Sequence, residues 1–183
     1  VAASALCGPR KGHLATHPQV ARASPVLELT ALASRSGASV PLRVLGADAL
    51  LLPAIAPALM PRPWDGADRF ALFAPATVFL NTAALQALDV PVDGADRAGG
   101  TPTLLLRTGA RTLRVQAAGT VAAGGAPLAV MDLGAAQDLF GRGGQLSRID
   151  LQLLPGTDRQ AFAQALRSAP YWPAGALLAE PGD

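Results

Sequence analysis

The chain has 183 residues, half of them apolar and 15% charged, with a net charge of +2 at neutral pH. That length fits one domain, or two subdomains sharing a core, and the apolar share excludes a disordered chain. Aromatic residues make up only 4%, Lys11 is the only lysine and the arginines are dispersed, so the core must be built from Leu, Val and Ala and no nucleic-acid partner is expected.

In chain order, Val1 to Leu6 is short and apolar and fits an edge strand, and Pro9 to His17 fits a short helix that Pro18 ends. Cys7 is the single cysteine, so no disulfide forms within the chain. Ser4-Ala5-Leu6-Cys7 looks like a lipoprotein acceptor site only superficially, because leucine stands before the cysteine where a small residue belongs. The first residue is Val1 and not Met, so residues upstream are expected. No run reaches the ~18 uninterrupted apolar residues of a membrane span. The nearest, Val44 to Met60, contains Asp48, Pro53 and Pro57, and a soluble segment is expected.

Val26 to Leu32 and Val40 to Gly46 are β-prone runs around Ser36-Gly37-Ala38-Ser39, which predicts an antiparallel hairpin. Leu42, Val44 and Gly46 fall on one face of its second strand, Arg43 and Leu45 on the other. Ala49 to Met60 reads as a helix broken by Pro53 and Pro57. Pro61 to Arg69 is the clearest linker, and Phe70 to Leu80 a strand-like run. Asn81-Thr82 should cap a short helix through Leu88. Asp-Gly-Ala-Asp-Arg occurs twice, at Asp65–Arg69 and Asp93–Arg97; the flanks are not self-similar, so turn chemistry explains it better than an internal repeat. Thr103 to Thr108 and Thr112 to Ala118 flank Gly109-Ala110-Arg111 as a second hairpin.

The stretch Pro127 to Gly156 packs strand, helix, glycine turn and strand into thirty residues. Leu128 to Met131 is an apolar strand ending on Asp132, whose carboxylate suits the first turn of a helix with Leu133, Ala136, Leu139 and Phe140 on one face. Gly141 to Gly144 stops that helix, and Ile149, Leu151 and Leu153 then alternate with Arg148, Asp150 and Gln152. Thr157 to Gln160 reads as a capping box for a helix with Phe162, Ala165, Leu166 and Ala169 on its apolar face. Ala176 to Ala179 is a candidate last strand.

Ala136-Gln137, the Gly141 to Gly144 turn, Arg148-Ile149-Asp150 and Pro155-Gly156 together resemble a segment late in the periplasmic core domain of MacB/FtsX-like ABC transporter permeases. Gly46-Ala47-Asp48 resembles a strand-ending step of the same domain, whereas Leu88-Asp89-Val90 is followed by Pro91-Val92-Asp93-Gly94-Ala95-Asp96, where the family's adjacent Gly-Asp is displaced. The resemblance implies an α+β fold, with a porter-like α/β subdomain built from both chain ends (1–62 and 147–183) and an inserted small β-rich, sabre-like subdomain (63–146). It implies a place on the extracytoplasmic, periplasmic face of the bacterial inner membrane. The partners it implies are the flanking transmembrane helices of the same permease, a cytoplasmic ABC ATPase subunit, a second permease copy, and a periplasmic adaptor or lipoprotein. The implied role is mechanotransmission, in which ATP-driven movement of the membrane helices serves export or extraction of lipids, lipoproteins or hydrophobic compounds.

No nucleophile elbow, phosphate-binding loop or dinucleotide turn is present, and no catalytic, cofactor-binding or metal-binding residue is assigned. His13 and His17 stand four apart, but a zinc site takes three or four ligands and Cys7 is the only soft one nearby, so two solvent-facing histidines are expected. Cys7 with His13 lacks a third orienting group. The pairs Asp65/Asp68 and Asp93/Asp96 sit in glycine turns rather than across a cleft, Asp132 fits a cap, and Arg148 with Asp150 fits a surface contact between strands. Trp64, Tyr171 and Trp172 lie in proline-bounded segments, where they either anchor a partner or plug gaps between lobes. The expected protein is not an enzyme. The competing readings are a free-standing periplasmic binding or adaptor protein and a small hydrolase.

Overall fold

The structure, a computed structural model, describes residues 2–4, 10–67, 70–95, 99–172 and 176–179. Its centre is the hairpin of β2 (Val20–Arg35) and β3 (Ala38–Ala47), paired from Val26↔Ala47 to Arg35↔Ala38. Ser36 and Gly37 both take positive φ, 50° and 85°, the left-handed geometry whose twist matches a tight hairpin. From β3 the pairing runs parallel to β8 (Leu128–Asp132), then antiparallel to β5 (Thr77–Leu80), then parallel to β7 (Arg111–Thr120). β7 turns back through Gly109-Ala110 onto β6 (Thr103–Thr108), and β6 returns to β2 through Leu32↔Arg107, Ala33↔Leu106 and Ser34↔Leu105. Six strands thus close on themselves in the order β2-β3-β8-β5-β7-β6.

The period-two alternation of these strands fills the barrel. Leu42 and Val44, Val78 and Leu80, Leu104 and Leu106, Val115 and Ala117, and Ala129 and Met131 form one buried cluster. Two short helices add to it, α3 (Thr82–Ala87) with Ala84 and Leu85, and α4 (Leu133–Leu139) with Ala136. Outside the barrel, Leu45, Phe79, Leu128 and Val130 pack against Leu52 of α2 (Leu52–Ile55) and the 3-10 turn Pro57–Leu59. β5, β8 and the end of β3 from Val44 are therefore buried on both faces, which is why their sequences read as near-continuous apolar runs.

The first half of β2 leaves the barrel and joins a smaller sheet. It pairs with β9 (Arg148–Leu153), which pairs with β1 (Ala2–Ser4), which pairs with β10 (Leu178–Ala179). Helices α1 (Arg10–Ala15) and α5 (Arg159–Arg167) cover it, with Leu14, Phe162 and Leu166 against Val20, Ile149 and Leu151. Residues 1–62 and 63–146 both supply barrel strands, and 147–183 supplies β9, α5 and β10. The fold is mixed α+β with a sheet-rich body. No helix among the described residues is long and apolar enough to cross a membrane.

Five expectations need correction. β2 begins at Val20 rather than Val26, because Pro25 lies where the strand pairs only with β9 and interrupts no ladder with β3. Phe70 to Leu80 is not one strand: Ala71–Phe73 is a 3-10 turn, and Pro75 with Ala76 at φ 52° delays the strand to Thr77. Pro61 to Arg69 is no plain linker, since Arg62–Pro63 forms β4 against Thr120 and Gly119, where β6 has already ended at Thr103↔Gln116. The cap of α5 is Asp158, not Thr157; its Oδ1 accepts from the backbone N–H groups of Gln160 (2.8 Å) and Ala161 (3.1 Å). On that helix Ala165 is exposed rather than on the buried face.

Candidate functional site

Most of the residues singled out by chemistry serve the fold. Asp132 caps α4, accepting from Ala135 N at 3.1 Å. Asn81 is buried and satisfied on three sides: Oδ1 accepts from Ala84 N and Leu128 N, and Nδ2 donates to Ala126 O, each at 3.0 Å. It ties the start of α3 to the start of β8. His13 is exposed and stacks on Tyr171, with centroids 5.1 Å apart, and half-buried His17 meets Phe162 edge-on at the same distance. Half-buried Tyr171 and Trp172 pack on the core of the smaller sheet, so they join α1 and α5 to the segment after α5. Cys7, Asp68 and Asp96 lie outside the described residues. No group of three or more His, Cys, Asp or Glu side chains able to hold a metal ion occurs among the described residues.

Arg148 and Asp150 do meet, Nε to Oδ1 at 2.9 Å, and they belong to a larger chain of charges. Arg148 also pairs with Glu28, and Glu28 pairs with Arg43 at 2.6 Å. The order Asp150–Arg148–Glu28–Arg43 crosses β9, β2 and β3 on one face. The Ser147 hydroxyl accepts from Glu28 N (2.8 Å) and donates to Glu28 O (3.0 Å), fixing the start of β9 beside the same residue. Each charge has an opposite partner, so the network holds strands and leaves no group free for proton transfer.

An arrangement with the shape of a site is a cleft of about 820 Å³ on the outside of the barrel. Thr77 of β5 and Gln116 and Ala118 of β7 line it, with Trp64–Ala67 on one wall, Asp93–Ala95 and Gly99–Thr101 on another, and the turn carrying Phe70 and Phe73 at the rim. Trp64 reaches it because its backbone N–H donates to Ala118 O at 3.0 Å, extending the β4–β7 pairing by one residue. The indole lies against Gly94, where any side chain would overlap the ring. Its Nε1 is buried without a hydrogen-bond partner. Trp64 is thus packed between two loops, both of them within residues 63–146.

The cleft also brings together what the sequence set apart. Asp65-Gly66-Ala67 and Asp93-Gly94-Ala95, the first three residues of the two identical pentapeptides, both line it. Gly66 and Gly94 have positive φ (82° and 73°), so each copy is indeed a turn. Their juxtaposition leaves no trace in local sequence. The repeat itself was the only signal, and it says nothing about which loops the barrel places side by side.

No protein-family model matches the chain, and no curated protein matches it. The fold, in contrast, has solved counterparts. The extracellular domain of the noncanonic ABC-type transporter YknZ from Gram-positive bacteria superposes with a TM-score of 0.60 at 11% identity, over 86% of this chain and 77% of that one. The periplasmic region of MacB from Actinobacillus actinomycetemcomitans gives 0.57 at 10% identity, over 88% and 71%. A domain of a permease protein from Porphyromonas gingivalis gives 0.50 at 15%, over 89% and 75%. The chain therefore has the fold of the extracellular and periplasmic domains of ABC-type transporter permeases.

Proposed function

We propose that the chain is a non-enzymatic extracytoplasmic domain of an FtsX-like ABC transporter permease, set between membrane helices at the periplasmic face of the inner membrane. In this reading a cytoplasmic ATPase subunit moves the flanking transmembrane helices. The movement passes through this domain and that of a second permease copy to drive export or extraction of lipids, lipoproteins or hydrophobic compounds. The observation that carries the reading is the shared fold over 86% of the chain with the YknZ extracellular domain. The pairing of β1 with β10, Ala2↔Ala179, supports it, because a segment inserted between two membrane helices needs its two ends side by side. The division into a porter-like part (1–62 and 147–183) and an inserted part (63–146) belongs to the same proposal, with the barrel as their shared core.

The test is on the native gene product in its own membranes. Under this reading it resists alkaline extraction, and affinity purification brings an ABC ATPase with it. A product that washes off as a soluble protein and carries no ATPase overturns the reading and favours a free-standing binding or adaptor protein.

A further inference from the structure

The hairpin of β6 and β7 carries an unbalanced charge that the transporter reading does not use. From Gly99 to Met131 the only charged side chains are Arg107, Arg111 and Arg114. All three are exposed, and none has a hydrogen-bond or ion-pair partner among the described residues. Arg111 sits at the tip of the hairpin, beside Gly141 of the turn after α4. The other two share the outer face of the barrel, because Leu104, Leu106 and Val115 between them point inward and are buried. Leu105 belongs to that outer face and is 42% exposed; it stands opposite Arg114 and two residues from Arg107. Cross-strand geometry sets the Cβ atoms of Leu105 and Arg114 about 5 Å apart, and those of Arg107 and Arg114 about 7 Å apart across the diagonal. Toward β2 the face continues with Leu32 opposite Arg107 and Ser34 opposite Leu105, and neither adds a carboxylate. Glu28, the acidic residue of β2, is already held by Arg43 and Arg148.

Two guanidinium groups beside an exposed leucine suit an anion that also carries apolar bulk. A bare polyanion would leave Leu105 unused, and no aromatic side chain on this face offers a nucleic-acid base a ring to stack on. An anionic membrane is excluded by position. Backward from Ser4 to Ala2 and forward from Leu178 to Ala179, β1 and β10 both lead away from the barrel. Ala2, Ala179 and Asp150 share a row with Ser24, and Ser34 stands ten residues further along β2, about 33 Å at the usual rise. With the chain ends entering the bilayer, a step that rests on the transporter reading, the arginine face stands well clear of the headgroups. An extended peptide, in contrast, presents alternate side chains about 7 Å apart, the spacing of this face. We propose that the outer face of β2, β6 and β7 docks an acidic, amphipathic protein segment whose carboxylates flank an apolar side chain.

The probe is the blocked peptide Glu-Glu-Leu-Glu-Glu, titrated into the isotopically labelled chain. The expected result is a saturable shift of the Leu105, Arg107 and Arg114 amide signals that weakens as salt is raised. Arg107→Gln and Arg114→Gln should each reduce affinity about two- to fivefold, the scale of one exposed ion pair. Both side chains are exposed, so the variants should keep the fold, read from unmoved Val44 and Val130 amides. Replacing the peptide's leucine by serine should reduce affinity as well. Four results overturn the proposal: no shift on this face, an equal response to Lys-Lys-Leu-Lys-Lys, undiminished binding in the folded double variant, or undiminished binding of the serine peptide. Binding of phosphatidylglycerol vesicles through the same amides overturns it too, in favour of a membrane contact. None of these measurements bears on alkaline extraction or ATPase capture, so this inference and the transporter reading fail separately.

Discussion

Asn81, 1% exposed, joins three parts of the chain through one side chain, and its two bonds from backbone N–H groups are buried away from water. Asn81→Ala should lower unfolding stability by about 2–3 kcal/mol, combining loss of a helix cap with the buried Leu128 N left unpaired, while Ala126 O, on an exposed residue, can turn to water. Urea denaturation with an unchanged m value checks this; a loss below about 1 kcal/mol would mean that the loop before β8 relaxes to re-pair that N–H. Gly46 is a second keystone. A Cβ there would stand 2.6 Å from the Ala136 Cβ, so α4 seats directly on β3 only because residue 46 has no side chain. Gly46→Ala should cost about 1–3 kcal/mol, and Ala136→Gly in the same chain should recover part of it. Additive effects in the double-mutant cycle would show that the two positions do not touch. Both residues were legible in part. The cap at Asn81 follows from its place before an apolar helix, but its grip on β8, 47 residues away, depends on tertiary placement.

At the scale of elements, local signals were readable and long-range closures were not. Both hairpins follow from glycine-bearing turns between β-prone runs, and the strand-to-helix step at Asp132 follows from capping chemistry. The parallel pairs β3–β8 and β5–β7, and the β2–β6 contact that closes the barrel, join residues far apart in sequence and leave no periodic trace. The same holds for the cleft: each Asp-Gly-Ala turn is recognisable alone, and only the barrel makes them neighbours. The charge chain across β9, β2 and β3 was half visible, as Arg148 with Asp150, because Glu28 and Arg43 lie more than a hundred residues earlier. Its members are not equivalent. Glu28 bridges two arginines and its side chain is 30% exposed, whereas Arg43 makes one pair at 51% exposure. Glu28→Ala should therefore destabilise the fold by about 1–2 kcal/mol and Arg43→Ala by less than about 0.5 kcal/mol, measured by chemical denaturation. Equal losses would remove the bridging role of Glu28.

Across the whole molecule, stability should fall outward from the barrel. β8 and the end of β3 are paired on both sides and buried on both faces, while β10 is a two-residue strand that, among the described residues, pairs with β1 alone. Native-state hydrogen exchange should show Val44, Leu45, Ala129 and Val130 amides among the last to exchange, at the free energy of global unfolding, and Leu178 and Ala179 among the first. Early exchange at Val130 would mean that the barrel opens before the smaller sheet frays. The strand shared by both bodies has a mechanical consequence. β2 is sixteen residues long, about 50 Å at the usual rise per residue, and it lends its first half to β9 and its second half to β6. A pull along β9 loads its hydrogen bonds to β2 side by side, in shear, while a pull away from the sheet breaks them one after another like a zip. The domain should therefore be stiff to tension along that strand axis and compliant across it, a directional spring whose soft axis is set by strand orientation alone.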